Sequence, residues 1–147
     1  MSLTKDFFER NTNITAKVVA DSISPSGNRI TTFEIEYPRF ILAELNTHKM
    51  LEKNSSSSRA IPITKMIEQI QNNMALPLYW GSKQAGMQAG AEITNAQDFG
   101  QGAYHWCGAA KDVEARVLVL DKQGYHKQVV NRLLEPFQMM KTWLCLS

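Results

Sequence analysis

The chain has 147 residues, 44% of them hydrophobic, with 16 basic against 14 acidic side chains and a formal charge of +2. That length suits one core-forming domain over residues 1–147, and the balanced charge excludes any general attraction to nucleic acid or to an anionic membrane, so an anion site must be local. No apolar run approaches a signal-peptide core or a membrane span, and Cys107 and Cys145 stand outside any paired-cysteine motif, so the expectation is a soluble, cytoplasmic protein with free thiols. His48, His105 and His126 lack ligand spacing, and no metal is expected.

In chain order, Lys5 to Arg10 suggest a short helix. The alternation of Ile14, Ala16, Val18 and Ala20 then predicts a half-buried strand. Ser24-Pro25-Ser26-Gly27-Asn28 supplies a hairpin turn, and the return strand over Arg29–Tyr37 places Phe33, Ile35 and Tyr37 on one face. Thr32, Glu34 and Glu36 fall on the other face, which reads as solvated. Pro38 suits the first position of a helix in which Ile41 and Leu45 lead along a buried face to His48. Glu44, four residues earlier, is spaced to hydrogen-bond the imidazole, although a capping role near a helix C-terminus is the plainer reading of a single histidine.

Thr47 to Pro62 is the most polar stretch. Four hydroxyls, Ser55 to Ser58, precede Arg59, and short donors beside a permanently charged planar fork are what a phosphate needs. A serine run is also the composition of a solvated linker, which is the favoured reading on composition alone. Farther along, Ile63, Met66, Ile67 and Ile70 predict a helix within Ile61–Met74, suited to packing on the hairpin. Ala75–Gly90, with Pro77 and three glycines, reads as an irregular loop whose Trp80 and Met87 are core filler or a lid, core filler being favoured. A stripe of Phe99, Ala103, Trp106, Ala110, Val113, Val117 and Leu120 predicts a long helix over Thr94–Lys122, and a last helix follows over Tyr125–Leu134.

The polar stretch resembles the signature of the flavin-dependent thymidylate synthases, R-H-R-x-x-S-x-N-x-x-S-x-R-Y after a helix that begins at proline. His48, Asn54, Ser57 and Arg59 fall on its His, Asn, second Ser and last Arg, while Thr47, Lys49, Glu52 and Ala60 replace Arg, Arg, Ser and Tyr. The strand Phe33–Pro38 and the Ser24-Pro25 pair also correspond, and Trp80–Ala89 and Gly124–Phe137 look like a divergent, phage-associated branch of the family.

The resemblance implies a mixed α/β (α+β) fold, an antiparallel hairpin and sheet packed with long helices. It further implies a homo-oligomer, a tetramer, that binds FAD and dUMP across subunit interfaces. Such an enzyme makes dTMP with methylenetetrahydrofolate as carbon donor and NADPH as reductant. Ser24, Thr47, His48, Lys49 and Asn54 would face FAD, and Glu44, Ser55, Ser57, Ser58, Arg59 and Arg132 would hold dUMP. No nucleophile is needed, and no catalytic residue is assigned. Gln128 and Asn131 stand where the family has a Glu and an Arg, with Arg132 one position along. The family's C-terminal, arginine-bearing segment would follow Ser147, so residues 138–147 are expected to be a tail and the chain alone to have little activity. The alternative is a non-catalytic nucleotide- or flavin-binding remnant of the fold.

Overall fold

In the computed structural model residues 14–94 and 96–147 are described, residues 96–99 by their backbone alone. The helix expected over Lys5–Arg10 lies outside them. The alternating segments form β1 (Thr15–Ile23) and β2 (Arg29–Pro38), an antiparallel hairpin. Its turn is closed by Asn28 N–H donating to Ser24 Oγ at 3.0 Å, and Gly27 takes a φ of +88°, a conformation that favours glycine. At the base of the turn Arg29 holds Asp21 with two bonds, 2.9 and 2.5 Å, and the Thr31 hydroxyl adds a third at 2.9 Å. These donors hold the Asp21 carboxyl down at about 2, and the Asp21 carboxylate in turn pushes the Arg29 guanidinium up.

β1 departs from its expected half-burial. It is exposed along its whole length, because among the described residues it is the outer strand with β2 as its one sheet neighbour, and a bulge between Val18 and Ala20 interrupts its register.

The expected tail is instead a central strand. Met139–Leu146 form β4, inserted between β2 and β3 (Glu52–Ser55), so that the sheet order is β1-β2-β4-β3 with every pair antiparallel. Met140, Thr142 and Leu144 are buried opposite Tyr37, Ile35 and Phe33, and the Tyr37 and Thr142 hydroxyls bond at 2.7 Å inside that layer. On the other face Glu34 and Glu36 are half-buried rather than simply solvated. Trp143 Nε1 donates to Glu34 at 3.2 Å, and Asn73 and Lys141 approach Glu36.

The helix expected from Pro38 to His48 shrinks to a 3-10 turn, Arg39–Ile41, and a five-residue α1, Leu42–Asn46. Thr47 ends it by donating its hydroxyl back to the Glu44 carbonyl at 2.6 Å. Ile41 is exposed and Leu45 only half-buried, so His48 does not terminate a buried face.

α2 (Ile63–Asn72) buries Ile63, Met66, Ile67 and Ile70, as the spacing predicts. They pack not on the hairpin but with Ala110 and Val117 of α3 (Ala96–Lys122) and with Val130, Leu134 and Phe137. Trp80 fills a second cluster, edge-on to Trp106 at 6.3 Å, where a Cβ on Gly102 would lie 2.9 Å from the Trp80 ring. Met87, by contrast, is fully exposed. The last expected helix breaks into α4 (Lys127–Val130) and two 3-10 turns, Asn131–Leu133 and Glu135–Phe137.

Candidate functional site

The helical run from α4 to Phe137 places Lys127, Asn131 and Glu135 at intervals of four, and all three reach the serine turn. Lys127 Nζ donates to the Ala60 carbonyl at 3.3 Å, and Asn131 Nδ2 donates to the carbonyls of Ser58 and Ile61 at 2.8 Å each. Ser58 Oγ donates to Glu135 Oε1 at 2.7 Å, and the Arg39 guanidinium meets the same oxygen at 3.2 Å. Asn131 is fully buried, and its Oδ1 has no partner. Such an orphan acceptor costs about 1–3 kcal/mol, which the two donated bonds offset. The turn closes on itself through Ala60 N–H to the Ser57 carbonyl at 3.0 Å, while Ser57 Oγ accepts the Arg59 N–H at 3.3 Å.

The serine run is therefore neither a solvated linker nor a row of four free hydroxyls. Ser55 belongs to β3 and bonds the Thr142 hydroxyl at 2.8 Å, and Ser58 is buried on Glu135. Ser56 lines a cleft of about 400 Å3 with Glu36, Gln69, Asn72 and Lys141. Ser57 is exposed, as is Arg59, which has no carboxylate partner among the described residues. Arg132 is likewise exposed and without a carboxylate partner among the described residues, and it lines an open groove of about 520 Å3 with Arg39, Asn46, Glu135 and Pro136. Glu135 neutralises Arg39, while Arg59 on the turn, Lys127 bonded to the Ala60 carbonyl and Arg132 in the groove that Glu135 also lines have no carboxylate partner among the described residues. An exposed guanidinium fork of this kind suits an anion with several oxygens.

The residues expected to face a flavin are arranged differently. Ser24 Oγ is engaged with Ser26 at 2.8 Å and with Asn28. The Thr47 hydroxyl is taken by Glu44, and the His48 carbonyl accepts from Lys53 Nζ. Lys49 is exposed, and Asn54 is exposed on β3 opposite Trp143. Glu44 is exposed on α1, and its carboxylate makes no bond to His48.

The strand registers put the Ser24 turn and the Thr47–Lys49 segment at one end of the sheet but beside opposite edges. Three strand spacings separate them, roughly 14 Å. Neither cleft described above contains any of the five. Within one chain this set is not gathered into a single cleft.

Lys127, Glu135 and Arg39 are site residues that sequence reasoning missed, and Asn131 was noted only as standing where the family has an arginine. The interval of four was visible in Lys127–Glu135, but the partners lie 67 to 77 positions away.

Fold and site together define a mixed α/β protein, an antiparallel four-stranded sheet with helices that presents a cationic turn. No family description matches the sequence. No curated protein matches it either. Among solved structures the fold is similar to that of PolB, a UMP/dUMP methylase from Streptomyces cacaoi. The form bound with 5-Br UMP superposes with a TM-score of 0.65 at 14% identity over 92% of this chain and 72% of that one. The form bound with 5-Br dUMP gives 0.64 at 14% identity over 92% and 74%. At this identity the likeness is one of fold.

Proposed function

We propose that the protein binds a uridine monophosphate, with Arg59 and Arg132 on the phosphate, and methylates its base, converting dUMP to dTMP. The observation that carries this reading is the serine turn, held from behind and displaying Arg59 without a counter-charge. The likeness in fold to a UMP/dUMP methylase supports the choice of nucleotide. The resemblance noted in the sequence adds methylenetetrahydrofolate as carbon donor and reduced FAD, replenished by NADPH, as the source of the hydride. The flavin-facing set is not gathered into a single cleft of one chain, and sharing FAD between copies of a homotetramer, as the resemblance implies, would complete the site.

A second reading, nucleotide binding without flavin chemistry, is favoured by the engagement of Thr47 and His48 in their own turn. Lys49 also offers a point charge where the signature has a bidentate arginine.

Calorimetric titration of dUMP into the parent and into Arg59→Ala tests the common part. The variant is expected to lose roughly 2–5 kcal/mol of binding, and equal affinities would overturn the assignment. Tritium release from 5-labelled dUMP by a protein supplied with FAD, NADPH and methylenetetrahydrofolate then separates the readings. Turnover supports methylation, and nucleotide binding without flavin absorbance or tritium release supports the second.

A further inference from the structure

We infer that Asn131 is the positioning residue of the Ser57–Ala60 turn, fixing the backbone on both sides of Arg59 and so setting where that guanidinium meets a phosphate. The inference rests on the phosphate reading of Arg59.

Asn131 donates from one amide nitrogen to the Ser58 and Ile61 carbonyls, which bracket Arg59 and Ala60, at 2.8 Å each. That bridge needs two donors on one uncharged, short side chain. Aspartate has the shape but no donor, and glutamine is a methylene too long for a site with 0% exposure. Four residues to either side, Lys127 and Glu135 hold the Ala60 carbonyl and the Ser58 hydroxyl at 3.3 and 2.7 Å.

Arg59 itself has no side-chain partner among the described residues, so its position is set by its backbone alone. A turn fixed in advance loses less freedom when the anion arrives, and affinity rises accordingly. Asn131 is fully buried and acts through the turn rather than on the ligand.

Trypsin cleavage after the exposed Arg59 reads the hold without any ligand, and dUMP titration reads its use. Asn131→Asp is expected to be cut after Arg59 about tenfold faster than the parent, with cleavage elsewhere little changed, as loosening of that turn alone requires. It should bind dUMP roughly 10- to 100-fold more weakly, since two hydrogen bonds hold the turn. Binding of deoxyuridine, which has no phosphate, should change far less, whereas general loss of structure would weaken both.

An unchanged cleavage rate overturns the inference. So does faster cleavage with undiminished affinity for dUMP. If Asn131→Asp does not fold, Lys127→Met removes the outer bond without touching the buried amide. It is expected to be cut a few-fold faster after Arg59, and no change there overturns the inference equally. If the parent binds no dUMP, the proposed function fails on that result and the positioning role falls with it, while the cleavage rates separately show whether the turn is held.

Discussion

The two loops that flank β3 contain similar polar residues and meet different fates. The segment before it, Thr47–Leu51, satisfies its polar groups from its own neighbours, through Thr47 to Glu44 and Lys53 to His48. The segment after it, Ser56–Ile61, is held by side chains some 70 positions away on a helical run that is itself rooted in the core by Val130, Leu134 and Phe137. Polar residues become a site when distant structure fixes their backbone. Left to local partners they make turns.

The largest expected effect tests that rooting. Leu134→Ala removes a side chain that is 1% exposed in the core directly behind the serine turn and should cost about 2–5 kcal/mol in chemical denaturation. Val18→Ala on β1, 53% exposed, should stay within about 0.5 kcal/mol. Comparable losses would erase the distinction between a core-backed region and an unbacked edge.

A smaller effect sharpens the comparison within α3. At Gly102 a Cβ would meet the Trp80 ring at 2.9 Å, so Gly102→Ala should destabilise by about 1–3 kcal/mol through overpacking. Gly108 has open space around its Cβ position, and there alanine should stabilise by about 0.4–1 kcal/mol. Thermal midpoints moving in the same direction for both would show that Trp80 yields and does not define that contact.

What the sequence made legible follows the same division. The stripe of α3, the buried face of α2 and the β1–β2 hairpin are periodic signals within short windows, and each element formed where its period predicts. The β4 pattern was present too, with Met140, Thr142 and Leu144 alternating against Lys141, Trp143 and Cys145. Yet its place between β2 and β3 depends on pairings more than 80 positions apart, which no local period contains. The exposure of β1 was equally hidden, because alternation predicts that a strand has an apolar face and not that something covers it. For the site, Ser57 and Arg59 could be singled out by chemistry. The engagement of Ser55 with Thr142, of Ser58 with Glu135 and the hold from Asn131 required the fold.

The smallest effect belongs to the hairpin, where the Asp21–Arg29 pair stands on an exposed strand. The donors from Arg29 and Thr31 lower the Asp21 carboxyl from its usual 3.8 to about 2 in the folded chain. A carboxylate depressed by folding stabilises the fold while it is ionised in both states, at pH values above its unfolded value. That contribution is lost as pH falls from about 5 toward 2, when the unfolded chain takes up a proton that the folded chain still resists. Asp21→Asn should therefore be slightly less stable than the parent at pH 7, and the gap should close on acidification through this window. Molar salt should narrow it as well, since both partners are solvated and screened. Thermal midpoints measured from pH 7 to pH 2 at low and high salt decide the matter. Parallel pH profiles for the two proteins would mean that the bonds drawn between Asp21 and Arg29 do not persist in solution, and the hairpin would then owe its register to its turn and its pairing with β4 alone.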